Sequence, residues 1–237
     1  MIEPERVLVV GDLHGNTAYA KKVVDHAAGA ADAIVQVGDF GVGWRGSDRF
    51  LDALEARLAA AGVHLYWLDG NHDHLTDDYT DRPHITYLPR GTRWTWWGQT
   101  WMALGGATSI DRLSRMPGTE WWPEEALTDG DVEYASRPGH VDVLVCHDAP
   151  YGANVPGVGL GPPRPCEWPL ETQLESCEHR LKLRKVVDAV RPKLVIHGHM
   201  HRRYSDMLHL DGRDVLIEGL DCDDAPLVDS TLFINKP

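Results

Sequence analysis

Cysteine is scarce in this chain, with four residues in 237, at positions 146, 166, 177 and 222. No two of them form a C-x-x-C pair, so neither a zinc ribbon nor a disulfide framework is indicated. A reducing, cytoplasmic location is the matching expectation. Long apolar runs are missing too, and none approaches the roughly 20 residues that a membrane helix needs. The opening Met1-Ile2-Glu3-Pro4-Glu5-Arg6 lacks the charge pattern of a signal peptide. Basic residues are outnumbered, 23 Lys and Arg against 36 Asp and Glu, for a net charge of −13. A surface this acidic repels the phosphates of long nucleic acid. A small anionic substrate stays compatible if bound metal ions supply local positive charge. What is present is ordinary: 43% apolar and 25% charged residues, the balance of a globular protein able to bury a core. With no internal repeat and no linker, a single domain over residues 1–237 is expected.

Three strand-helix repeats open the chain. Residues 6–10, 33–37 and 63–68 are short apolar runs with the look of buried strands. Between them, Asn16 is placed to cap a helix reaching about Gly29, with Ala20, Val23, Val24 and Ala27 inward. Ser47 is placed to cap a second, with Phe50, Leu51, Leu54 and Leu58 inward and Gly62 as its stop. Such repeats imply parallel strands joined by right-handed crossovers. Residues 85–88, 92–97 and 100–104 then read as strands without intervening helices. Residues 107–135 read as a loop with a short helix from about Pro123. Further strands are expected at 141–146, 193–196, 215–217 and 231–234. A helix is expected over 170–190, with Leu174, Cys177, Leu181 and Val190 at helical spacing.

Polar residues gather where apolar strands end: Asp12 and His14, Asp39, Asn71 and His72, His147, then His199 and His201. In an open α/β sheet the carboxyl ends of the strands form the ligand crevice, so five distant segments would meet at one edge. One Gly-Asp after a strand is only a turn. Five such clusters on strand ends point to a shared site. Imidazoles, carboxylates and one amide, without thiolate, suit hard or borderline divalent metals. A shared carboxylate can bridge two ions.

The ordered series Gly11-Asp12-Leu13-His14, Gly38-Asp39, Gly70-Asn71-His72-Asp73, His147 and Gly198-His199-Met200-His201 resembles the calcineurin-like metallophosphoesterase superfamily. The resemblance implies a four-layer αββα sandwich of two mixed sheets flanked by helices, with a dinuclear metal site at the strand C-terminal ends. By position it implies that Asp12, His14, Asp39 and His201 hold one ion. Asp39, Asn71, His147 and His199 would hold the other, and His72 would be the general acid. Manganese is the first expectation for the pair, with iron, zinc and nickel as alternatives. A hydroxide bridging the ions would attack phosphorus in line, and a histidine suits the donor to the leaving oxygen near neutral pH.

The expected reaction is hydrolysis of a small phosphodiester such as a cyclic nucleotide. A phosphomonoesterase acting on nucleotides or other small phosphates is the alternative. Ser/Thr protein phosphatases carry a further Asp and Arg after the bridging Asp; here Phe40, Gly41 and Val42 follow, which argues against that branch. A non-catalytic scaffold of the same fold is the remote alternative, disfavoured because every ligand position and the acid histidine are present.

Residues 107–135 carry Arg112, Arg115, Trp121 and Trp122, and are expected to form a substrate cap, the arginines gripping phosphate and a tryptophan stacking on a base. Trp94 and Trp96 are expected to pack the second sheet. The Gly/Pro-rich residues 151–165 are expected at the rim, His197 in a structural role, and residues 221–224 as a solvated acidic loop.

Overall fold

Side chains on β1 (Arg6–Val10) alternate between two cores. Val7 and Val9 face one, Leu8 and Val10 the other, as the period of a pleated strand requires. The same alternation repeats through the computed structural model, which describes residues 1, 3–75, 79–158 and 168–237. Sheet A runs β11 (Thr231–Asn235), β1, β2 (Ala33–Gln36), β3 (His64–Trp67), β4 (Ile85–Tyr87), with only β11 antiparallel. Sheet B runs β5 (Arg93–Trp96), β6 (Gln99–Leu104), β7 (Val143–Cys146), β8 (Leu194–His197), β10 (Arg213–Gly219), β9 (Tyr204–Leu210), with β5 and β9 antiparallel edges.

Helices α1 (Thr17–Ala27) and α2 (Ser47–Ala61) cover the outer face of sheet A through Val23, Val24, Leu54 and Leu58. Helices α3 (Asp129–Ala135) and α4 (Leu170–Val190) cover sheet B through Ala135, Leu183, Val186 and Val187. Between the sheets lie Val9, Val35, Leu68, Val145 and Ile196, with Trp96 and Trp101 fully buried among them. Two mixed sheets between helical layers are the αββα sandwich. The tryptophans of β5 and β6 belong to the inter-sheet core, as expected.

Several local expectations need correction. The second helix is capped by Gly46, not Ser47, and no side chain closes its first turn. The helix expected from Pro123 is a single 3-10 turn over Pro123–Glu125; α3 starts at Asp129 behind a Thr128–Asp131 capping box. On α4, Leu174 and Leu181 are exposed, while Thr172, His179 and Arg180 are buried beside Leu183 and Val187. Polar residues on the inner face conceal the true apolar stripe from a periodicity count. β9 escapes the sequence pattern because it is an edge strand with every second residue exposed, two of them polar; it pairs with β10 across Asp211-Gly212. Of the expected rim, residues 159–165 lie outside the described residues. Among the described residues no helix is long and apolar enough to cross a membrane.

Candidate metal centre

Five strands from two sheets deliver their polar ends to one place. Asp12 follows β1, Asp39 follows β2, and Asn71 and His72 follow β3. His147 follows β7, and His199 and His201 follow β8. Asp12, His14, Asp39 and His201 form one group whose ligand atoms all lie within 4.8 Å of each other. Asp39, His147 and His199 form a second, so Asp39 belongs to both. Asn71 Oδ1 lies beside the second, 3.1 Å from His147 Nε2.

Backbone strain marks the same spot. Six described residues other than glycine have φ in the left-handed region, and four are His14, Asp39, His199 and His201. Such residues cost about 1–3 kcal/mol each and concentrate at functional sites. The flanking glycines have a steric cause: a Cβ on Gly70 would strike the Asp39 carboxylate, and one on Gly198 would strike that of Asp12. Both carboxylates are thus packed directly against backbone.

Asp12 and Asp39 are buried with relative exposures of 0% and 1%, and each is surrounded by donors. Asp12 accepts from His199 N–H at 3.1 Å and His201 Nε2 at 3.0 Å. Asp39 accepts from His72 N–H at 2.8 Å and lies 3.3 Å from His147 Nε2 and 3.5 Å from His14 Nε2. Their charges dominate nearby titration. Burial pulls His147 down, but the Asp39 charge outweighs it and holds His147 at about 10. Burial likewise opposes Asp39 and Asp12 at His14, with a result of about 9. The hydrogen bond to Asp12, then that to Cys222, lifts His201 to about 11. Burial pushes His199 down to about 4. Asp39 is held well below the carboxylate range: burial pulls upward, and His147 and His72 overcome it.

Buried anions ringed by imidazoles are a donor set that fits divalent cations, because the ion replaces the protons that now balance the charge. Metal affinity is therefore expected to rise with pH between about 6 and 9, by about tenfold per unit for each proton displaced. His14, His147 and His201 sit above neutrality and must deprotonate to bind. Adding Mn²⁺ at about pH 7 in weak buffer should release protons, read with a pH indicator; no release would mean that the metal displaces no protons from these imidazoles.

The surrounding residues hold the cluster in place. His147 Nδ1 donates to the Val37 carbonyl at 2.8 Å, which turns Nε2 toward Asp39 and Asn71. His14 Nδ1 bonds Asp223 at 2.8 Å, and Asn16 donates to the same carboxylate at 2.8 Å. The acidic loop over 221–224 thus contributes an orienting residue, which corrects its expectation as solvated. Sequence offers no signal for Asp223, because its partner lies 209 positions away. His197 is fully buried and bonds Tyr204 Oη at 2.7 Å, a structural place as expected. Asp148 bonds His179 of α4 at 2.7 Å, another buried pair that spacing does not reveal.

His72 stands at the edge of the cluster, its ring 5.7 Å from that of His14. Asp73 does not orient it, since that carboxylate accepts from the backbone of Phe40, Gly41, Val42 and Gly70. Arg115 lies against the imidazole, with Nη1 at 2.7 Å from Nδ1 and Nη2 at 3.1 Å from Nε2. Asp111 holds Arg115 through two bonds of 2.7 and 2.8 Å. Burial, then the nearby Arg115 charge, keep His72 below its usual value against the pull of Asp39. Exposed Trp44, which no sequence motif marks, donates to the His72 carbonyl with its ring 5.8 Å from the imidazole.

The rest of the insert divides. Arg112 is drawn to Glu171 and Glu175 of α4 at 2.7 and 2.5 Å, with its guanidinium 5.5 Å from the Trp121 ring. Trp121 and Arg112 line a cavity of about 340 Å³ between the insert and α4, with Thr108, Glu125 and His179. Trp122 is buried and stacked on His74, ring centroids 4.4 Å apart. Arg115 alone of the four touches a residue of the cluster's edge, through His72.

No curated protein matches the sequence. Among solved structures, TT1561 of Thermus thermophilus has the same fold, with a TM-score of 0.53 at 15% identity over 98% of this chain and 99% of that one. A Streptococcus pneumoniae protein, named as a predicted phosphoesterase, matches at 12% identity with a TM-score of 0.38, covering 94% of this chain and 75% of that one. A hypothetical protein from Thermus thermophilus matches at 15% identity with a TM-score of 0.44, covering 92% of this chain and 76% of that one. The family model described as calcineurin-like phosphoesterase matches residues 5–203, a span that holds all five strand-end clusters; the chain belongs to that family of metal-dependent phosphoesterases.

Proposed function

We propose that this protein hydrolyses a small phosphodiester, a cyclic nucleotide being the leading class, at two divalent ions sharing Asp39. The observation that carries the reading is the pair of ligand groups, each within 4.8 Å, joined by one buried carboxylate. Asp12, His14, Asp39 and His201 hold the first ion; Asp39, Asn71, His147 and His199 hold the second. The ions supply Lewis acidity and an activated water. His72 gives a proton from its ring to the leaving oxygen, a task that suits a side chain able to gain and lose a proton near neutral pH. Arg115, kept in place by Asp111, lies beside His72, where its fork can take a non-bridging phosphate oxygen as substrate enters.

Residues 107–135 are the cap on a single domain. Trp121 and Arg112 shape its cavity, whereas Trp122 spends a ring face on His74, so base stacking falls to Trp121. The test is a panel of cyclic nucleotides, nucleoside monophosphates, bis-p-nitrophenyl phosphate and p-nitrophenyl phosphate with Mn²⁺. Diester turnover well above monoester turnover supports the reading; the reverse supports the phosphomonoesterase. Arg115→Ala should raise KM without loss of metal. Trp121→Ala should cost about 1–3 kcal/mol on nucleotides and little on bis-p-nitrophenyl phosphate. An equal loss on both, with a lower melting temperature, would sink the cap.

A further inference from the structure

Asn71 offers two chemically different atoms to its surroundings, and only one can serve a cation. Its Oδ1 is an acceptor; its Nδ2 carries two protons and repels a metal. Rotation of the amide by half a turn exchanges them at little steric cost, so something must select the orientation. Asn71 Nδ2 donates to Ser109 Oγ at 3.0 Å. Ser109 Oγ in turn donates to Glu125 Oε2 at 2.7 Å, and Ser109 N–H donates to Glu125 Oε1 at 2.6 Å. An ionised carboxylate only accepts, so it claims the Ser109 hydroxyl proton and leaves a lone pair facing Asn71. That lone pair demands a donor. Nδ2 supplies it, and Oδ1 is left toward His147 Nε2, 3.1 Å away.

Bulk solvent barely reaches these partners, since Asn71, Ser109 and Glu125 are only 2%, 2% and 4% exposed. The frame is fixed as well. Arg90 donates to the carbonyls of Glu124 and Glu125, each at 2.9 Å, and to the Asp69 carboxylate at 2.7 and 2.9 Å. One guanidinium thus ties the backbone of Glu125 to the strand end that carries Asn71.

We propose that Glu125 and Ser109 are positioning residues, a relay from the insert that sets the Asn71 amide with its oxygen toward the metal cluster. The inference rests on the reading of Asn71 as a metal ligand. It gives residues 107–135 a role in metal binding, separate from any contact with substrate.

The experiment is calorimetric titration of Mn²⁺ at a pH one unit above the value of about 7 to which burial raises Glu125, with melting temperature measured on the same samples. Ser109→Ala should weaken one of the two Mn²⁺ sites by about 10–100-fold and leave the other unchanged, the usual size of an outer-sphere effect. Ser109→Thr keeps the hydroxyl and should restore it. Glu125→Gln should also weaken it, since Ser109 N–H and Oγ now donate to two different oxygens and Gln would set an NH2 donor against one of them. In an Asn71→Asp background either orientation presents an oxygen, so adding Ser109→Ala should change affinity by less than about twofold.

Three results would overturn the relay. If Asn71→Ala loses a site while Ser109→Ala binds both ions as tightly as wild type, the relay fails and the ligand reading stands. If Asn71→Ala keeps both sites, the ligand reading fails and takes the relay with it. Equal weakening of both sites with a fall in melting temperature would mark Ser109 as merely structural.

Discussion

Asp39→Ala should remove both metal ions and abolish turnover in a single substitution. Asp39 is the one residue common to the two ligand groups, and its charge is the largest pull toward protonation at His147 and a leading one at His14. Without it, the second group has no anion and the first keeps only Asp12, and the remaining imidazoles repel one another once protonated. The backbone of His72 also loses its acceptor, since Asp39 Oδ1 receives that N–H. Loss of one preorganised donor to transition-state charge already costs about 10²–10³-fold in rate, and here two cations are lost together. Activity should fall by at least about 10³-fold, with less than one ion retained per chain by elemental analysis. Asp39→Asn is the companion variant, because it keeps the shape and an acceptor for His72 while removing the charge. Two ions retained per chain in both variants would refute the shared role.

The second large effect separates proton donation from metal binding. His72→Asn should keep both ions and slow turnover by about 10²–10⁴-fold, the range of general acid catalysis. His72 belongs to neither ligand group, and its Nε2 is 3.9 Å from Asp39 Oδ2, so its removal leaves the candidate coordination intact. The loss should shrink for p-nitrophenyl esters, whose leaving group departs without a proton, and be largest for alkyl or nucleoside leaving groups. Equal losses across leaving groups would remove His72 from the acid role. Arg115 adds a check: its charge helps to hold the His72 pKa down, so Arg115→Ala should move the basic limb of the pH–rate profile upward.

The two variants test parts of the site that sequence exposes to different degrees. Strand-end clusters are legible because each is local: a β-branched run, a glycine, then Asp, His or Asn. Their order along the chain carries the family and the sandwich, and the continuous burial of β1, β2, β3 and β7 follows from the same apolar runs. Local patterning fails where a face is mixed. Buried His179 and Arg180 disguise the inner face of α4, and the alternation of β9 is too polar to read as a strand.

Residue types and spacing therefore determined the strand-helix pattern and the metal-type donor set, because each depends on chemistry within a few positions, while the sandwich and the ligand assignments rest on the family resemblance that those motifs carry. Only the tertiary structure decided which groups hold the donors in place. Asp223 reaches His14 across 209 positions, Glu125 reaches Ser109 across 16, and His179 reaches Asp148 across 31. It also separated the insert's arginines, sending Arg112 to the carboxylates of α4 and Arg115 to His72. A hydrogen bond between distant segments leaves no periodic trace along a chain; its partners are set by how two sheets and their helices pack.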